Sequence, residues 1–171
     1  MRPLYAVVMG VLGFSLLAAG CGGAVPSSDG GPAIVKMTKT DRGSVLVDGQ
    51  GHSLYLFEKD EGHESYCSGA CAAVWPPLRT SAMPHSAAGV AGGALGTIKR
   101  DDGGMQVTYY GHPLYYYAAD ASTPGKTKGE ELEQFGAEWY LVDAHGKPVE
   151  SEASSKSNSN SGSSSGGGGY P

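Results

Sequence analysis

Apolar and polar residues alternate over short stretches through the middle of the chain, and turn-forming residues interrupt them every few positions. Val45-Leu46-Val47-Asp48 runs into Asp48-Gly49-Gln50-Gly51, a strong turn, and Leu54-Tyr55-Leu56-Phe57 returns. Farther on, Met105 to Tyr110 runs up, Gly111-His112 turns, and Leu114 to Tyr117 runs back. Thr97 to Arg100 is expected to pair with Met105 to Thr108 across Asp101-Asp102-Gly103-Gly104. Ile34 to Lys39 and Val45 to Asp48 flank Asp41-Arg42-Gly43, and Trp139 to Asp143 is one more strand. Only Cys67 to Val74 and Gly129 to Phe135 read as a helical turn or two. The pattern predicts a mostly β chain: a single small antiparallel β domain with short helical turns and about eight or nine short strands.

Side chains on a strand point alternately to its two faces. Tyr55 and Phe57 therefore share one face, with Leu54 and Leu56 on the other, and Tyr115 and Tyr117 match the first pair. Both faces are apolar in the first stretch, so this strand is expected to be covered on both sides. The aromatic rows read first as core; the competing reading lines a groove with them for a sugar or another flat ligand.

The two stretches are copies. Residues 51–60 read Gly-His-Ser-Leu-Tyr-Leu-Phe-Glu-Lys-Asp and residues 111–120 read Gly-His-Pro-Leu-Tyr-Tyr-Tyr-Ala-Ala-Asp, at a constant offset of 60. Each copy has a later tryptophan, Trp75 fifteen residues after Asp60 and Trp139 nineteen after Asp120. A second echo joins Leu46-Val47-Asp48-x-x-Gly51 to Leu141-Val142-Asp143-x-x-Gly146. Two copies are too few for a solenoid, so the β domain, residues 34–149, is expected to be built from two pseudo-repeats, about 43–80 and about 104–149. Asp60 and Asp120 end their strands, where an Asp fixes a turn by bonding its own backbone. Calcium binding by Asp60, Glu61 and Glu64 competes with that role, but the EF-hand spacing is absent.

The ends of the chain carry addresses. Residues 1–20 have Arg2, then an uncharged and mostly apolar stretch from Leu4 to Leu17, then Ala18, Ala19 and Gly20 before Cys21. This is the secretory signal pattern. It also resembles a bacterial lipobox, whose commonest form has Leu where Ala18 stands and whose cysteine becomes an acylated N-terminus. Cys21 is thus the expected lipidation site, and residues 21–33 a flexible tether. A diacylglyceryl group supplies enough buried methylene for stable attachment to a membrane. Residues 150–171 are Ser, Asn and Gly with almost nothing to bury, a composition expected to stay disordered.

The net charge of −5, or −6 once Arg2 leaves with the leader, excludes an electrostatic nucleic-acid binder. Cys67 and Cys71 are an even pair in an exported chain and read as a disulfide, with a redox-active pair or a metal or haem ligand as the competing readings. His52 and His112 sit at turns, where solvent exposure is expected. No zinc spacing, P-loop, G-x-S-x-G or dinucleotide fingerprint occurs, so no catalytic residue, no metal and no cofactor is assigned.

Tyr55-x-Phe57-x-x-Asp60 and Tyr115-x-Tyr117-x-x-Asp120 both fit Yx(FWY)xxD, and Cys67-Ser-Gly-Ala-Cys71-Ala-Ala-Val-Trp75-Pro76-Pro77-Leu78 stands between them. On these segments the chain resembles the bacterial lipoproteins with a Yx(FWY)xxD motif, a family described as a secreted repeat of unknown function. The resemblance spans roughly residues 43–149. It implies an address and an architecture, with Tyr55, Phe57, Asp60, Trp75, Tyr115, Tyr117, Asp120 and Trp139 as its motif residues and no catalytic group among them. The expectation is a non-enzymatic, monomeric cell-envelope lipoprotein, held to the membrane by its lipid, with an envelope protein or cell-wall glycan as partner. The alternative is an extracytoplasmic redox, electron-transfer or metal-handling accessory using Cys67 and Cys71.

Overall fold

The computed structural model describes residues 31–61, 63–120 and 123–149. The expected leader, Cys21, most of the tether and the 150–171 tail lie outside them. Two hairpins dominate. Strand β1 (Ile34–Thr40) pairs antiparallel with β2 (Gly43–Asp48), with Met37 opposite Leu46. After β3 (Tyr55–Phe57), the helix α1 (Ala70–Val74), β4 (Arg79–Thr80) and β5 (His85–Ser86), the second hairpin follows. It pairs β6 (Leu95–Lys99) with β7 (Met105–Tyr109), with Thr97 opposite Val107. The chain ends with β8 (His112–Pro113), β9 (Leu132–Gln134) and β10 (Ala137–Leu141). The described strands form three small sheets, β2-β1-β5, β3-β10-β9 and β4-β7-β6, with β8 also on β7. All pairings are antiparallel except the short one between β1 and β5. The fold is mostly β, as its patterning predicts.

The internal copies are related by a pseudo-twofold axis that runs between Tyr55 and Tyr115. Each donates its backbone N–H to the other's carbonyl at 2.9 Å. Corresponding bonds recur on both sides of the axis. Leu54 donates to Leu46 and Leu114 to Val107, both at 3.0 Å; Leu46 donates to Val142 and Val107 to Leu78 at 2.8 and 2.9 Å. Leu141 lies opposite Tyr55 as Pro77 lies opposite Tyr115. The copies therefore match at an offset of 60 through the motif and 64 at the tryptophans, the four extra residues falling in the second Asp-to-Trp loop.

The two faces of the motif strands build two cores, as alternation requires. Leu54, Leu56, Leu114 and Tyr116 join Val35, Leu46, Leu78 and Val107 on one side. Tyr55, Phe57 and Tyr115 join Trp75, Trp139, Leu141 and the two cysteines on the other. Cys67 and Cys71 form a disulfide across the start of α1.

Three local expectations are corrected. Gly129 to Phe135 is not helical: a turn leads into β9, because Leu132 to Gln134 is captured by β10. The β7–β8 turn is centred on Tyr110-Gly111, both at positive φ (47° and 88°), one residue before the Gly111-His112 position expected. The echo between Leu46–Gly51 and Leu141–Gly146 is shared turn chemistry, not part of the repeat. In both, an Asp Oδ1 accepts two backbone N–H bonds, Asp48 from Gln50 and His52, Asp143 from His145 and Lys147. Under the pseudo-axis, however, Val142 corresponds to Leu78.

Candidate functional site

The motif residues meet at the axis and exchange partners. The Tyr55 hydroxyl donates to Asp120 Oδ2 at 2.5 Å, and the Tyr115 hydroxyl donates to Asp60 Oδ2 at 2.6 Å. Each tyrosine thus bonds the aspartate of the other repeat. Each aspartate also closes its own loop, Asp60 Oδ1 accepting from the Tyr66 N–H and Asp120 Oδ1 from the Lys128 N–H. The turn role predicts a bond to backbone two residues on. The aspartates close longer loops instead, six and eight residues on, and to this is added a bond across the axis that sequence reading missed.

The rings repeat the exchange. Trp75 and Trp139 stack face to face on each other at 4.0 Å between centroids. Tyr117 of the second motif stacks on Trp75 of the first repeat at 4.4 Å, and Phe57 of the first motif stacks on Trp139 of the second at 4.1 Å. Tyr55 and Tyr115 meet the tryptophan of their own repeat edge-on. Such pairs add about 0.5–1.5 kcal/mol each beyond the area they bury. Tyr55, Phe57, Trp75, Tyr115 and Trp139 are all at most 1 % exposed, and Tyr117 is half-buried. The aromatic row is thus an internal stack and not the wall of an open groove.

Around the second junction lies a polar network. The Arg100 guanidinium, buried, donates to Ser65 Oγ (2.7 Å), Gln106 Oε1 (2.5 Å) and the Cys67 carbonyl (2.6 Å). Ser65 Oγ in turn lies 2.7 Å from the Tyr115 hydroxyl. Ser65 and Arg100 also line a surface cavity of about 240 Å³, with His63, Glu64, Lys99 and Asp102. Burial pushes the Asp60 carboxyl up to about 6, against the opposing pull of Tyr115, the Tyr66 N–H and Arg100. Burial likewise raises the Tyr55 and Tyr115 hydroxyls far above their usual range, so both stay protonated donors. Nothing in the spacing of Ser65, Arg100 and Gln106 announces this cluster; a buried arginine beside Asp101-Asp102 reads as surface charge.

The histidines depart from expectation. His52 is half-buried, its Nδ1 3.0 Å from Asp48 Oδ2, which also accepts the Tyr116 hydroxyl. His112 is half-buried as well, and burial, with His63 nearby, lowers its pKa. Turn position did not expose them because Asp48 and the Tyr116 ring pack against His52, and His63 lies over the Gly111-His112 turn. Among the described residues, no group of three or more His, Cys, Asp and Glu side chains is placed to hold a metal ion.

A family model described as a secreted repeat of unknown function matches residues 36–79 and 96–149, together 98 of the 171 residues. The chain belongs to this family. The two matched segments of this secreted repeat each hold one hairpin and one motif, the halves that the pseudo-axis relates. The family's description as secreted supports an extracytoplasmic location. No curated protein and no solved structure matches the chain significantly.

Proposed function

We propose that this secreted repeat is a membrane-anchored, non-enzymatic module of the cell envelope, acylated at Cys21 and acting through its surface on an envelope protein or cell-wall glycan. One observation carries the reading: the motif is spent inward. Tyr55, Tyr115, Asp60 and Asp120 bond one another across the axis, and the motif rings stack on the two tryptophans. A motif used as a joint between halves leaves recognition to the loops and edges around it. The leader, the small residues before Cys21 and the family's secreted description support the anchored location. Both cysteines are at most 6 % exposed, which favours a structural disulfide over the redox-accessory reading.

Fractionation of producing cells tests the anchor. The native chain is expected in the membrane fraction with a mass increase at residue 21, and Cys21→Ser in the soluble extracytoplasmic or medium fraction. Membrane retention of Cys21→Ser, or a native chain with an unmodified Cys21, overturns it. Reduction of the folded chain by glutathione at physiological poise would instead favour the redox reading.

A further inference from the structure

The pseudo-axis places β6 where β1 stands in the first half, because Met37 faces Leu46 as Thr97 faces Val107. The outer edge of β1 is covered. Residues 85–88 run along it in parallel: His85 donates to the Ala33 carbonyl and Ala87 to the Val35 carbonyl at 2.8 Å, and Met37 donates to the Ala88 carbonyl at 2.9 Å. The corresponding edge of β6 has no strand partner among the described residues. The second repeat takes another path after its tryptophan, as a turn returns Val149 to Leu141.

The free groups can be named. Val107 commits its N–H to Leu78 and its carbonyl to Leu114, both away from β6. The Thr97–Val107 pair is therefore a non-hydrogen-bonded pair, and the N–H and carbonyl of Thr97 point outward. Lys99, two residues on, points its backbone groups the same way. Its ammonium forms no ion pair among the described residues.

We propose that the outer edge of β6 is a docking site for an extended segment of another polypeptide. The segment has small side chains, runs parallel to β6 and is acidic near its C-terminal end. Strand addition to a free sheet edge is a general recognition mode, in which backbone bonds give affinity and side chains give selectivity. Here the molecule contains its own filled example: the occupant of β1 is His85-Ser86-Ala87-Ala88, laid parallel, with the three small residues Ser86-Ala87-Ala88 along Val35 to Met37. On β6 the corresponding bonds go to the Leu95 carbonyl and from the Thr97 N–H. A parallel strand also ends beside Lys99, and the unpaired ammonium there sets the preference for a carboxylate. The inference goes beyond the proposed function and holds whether or not Cys21 is acylated.

The test is an amide NMR titration of the chain from residue 21 carrying Cys21→Ser. The probe is a synthetic peptide with the sequence of residues 81–90, without and with a C-terminal Glu. The expected result is saturable shifts centred on the Thr97 and Lys99 amides. The acidic peptide should bind roughly two- to fivefold tighter, as one exposed ion pair allows, and Lys99→Glu should reverse that preference. Thr97→Pro removes an outward N–H without touching the β6–β7 ladder. It should weaken binding about three- to tenfold with the rest of the spectrum in place, whereas Thr97→Val should bind normally. Absence of shifts at these two amides overturns the proposal, as do shifts that persist in a folded Thr97→Pro. Protection of Thr97 and Lys99 that grows with protein concentration, without peptide, assigns the edge to a second copy and overturns the stated occupant. Protection lost on truncation after residue 149 assigns it to the chain's own tail, with the same consequence.

Discussion

The two Tyr–Asp junctions have the same bond at their centre and different surroundings. At the first, the Tyr55 hydroxyl donates to Asp120 and accepts the Gly129 N–H at 3.2 Å, and the Lys128 N–H closes on Asp120. Backbone fills every position. At the second, the Tyr115 hydroxyl donates to Asp60 and meets Ser65 Oγ, which is held by Arg100 at the edge of a cavity. Asp60 still closes on a backbone N–H, that of Tyr66, but at the tyrosine hydroxyl a side chain takes the place of backbone. The comparison separates what the duplicated motif fixes from what each copy was free to change. The crossed bond and the ring stack are common, so they hold the halves together. The closing shell differs, so the first junction is sealed and the second reaches solvent through polar groups.

The common part predicts the largest effect. Trp75→Ala and Trp139→Ala each remove one member of the central stack from a site with no exposure. Each should cost about 3–5 kcal/mol in denaturant unfolding, and the two costs should be similar. A cost below about 1 kcal/mol for either would show that the stack is not what joins the halves.

The next prediction divides the junctions. A Cβ on Gly129 would lie 2.8 Å from Trp75 and 2.9 Å from Tyr55, both fully buried rings without room to retreat. Gly129→Ala should therefore destabilise by about 1–3 kcal/mol through overpacking. Ser65→Ala at the corresponding place of the second junction removes the hydrogen bond to the tyrosine and the acceptor of one Arg100 N–H, but water from the adjoining cavity reaches both groups, so the cost should be nearer about 1 kcal/mol. Chemical denaturation of the two variants side by side measures the difference. Equal costs would erase the distinction between a backbone-sealed junction and a side-chain-sealed one.

The fold was legible in the sequence where period and duplication reinforced each other. The alternation Leu54-Tyr55-Leu56-Phe57 foretells two covered faces, and the structure places Leu54 and Leu56 in one core and Tyr55 and Phe57 in the other. The duplication foretells two related halves. It could not foretell the exchange, because a constant offset of 60 is equally consistent with each tyrosine bonding its own aspartate; only the axis through Tyr55 and Tyr115 decides. The short strands β4, β5 and β9 escaped reading because each is too brief to show a period and is held by its neighbour. Arg100 was illegible for a different reason. Its burial depends on acceptors from Ser65, Cys67 and Gln106 that only the tertiary fold collects.

Buried carboxyls also make the stability of the fold depend on pH. Burial raises Asp60 to about 6 at the second junction and Glu130, whose Oε2 accepts the Leu141 N–H, to about 7. A carboxyl whose pKa is raised on folding binds its proton more tightly in the folded state. Its contribution is complete below the unfolded value near 4 and is lost as pH rises through the folded value. Stability should therefore fall between about pH 4 and pH 7. Asp102, held low chiefly by the Arg79 guanidinium, acts in the opposite sense and only below about pH 4. Denaturant midpoints across this range should decline for the native chain, and Asp60→Asn should flatten the lower part of the decline. An unchanged slope in Asp60→Asn would place the titrating group elsewhere.

The smallest effect concerns a position where the copies disagree about polarity. Ser53 is buried, and its Oγ is a buried side-chain polar atom without a hydrogen-bond partner among the described residues. The corresponding residue at the same offset is Pro113, also buried. The second repeat thus shows that the site accepts an apolar side chain without a hydroxyl to satisfy. An unmatched buried hydroxyl forfeits its hydration on folding and gains nothing in return. Ser53→Ala removes that penalty with a small loss of volume, and should leave stability unchanged or raise it by up to about 1 kcal/mol. Thermal and denaturant unfolding of this variant should move in that direction or stay level. A clear loss of stability would mean that the hydroxyl has a partner in solution, and that the first repeat keeps Ser53 for a bond that the second repeat lacks.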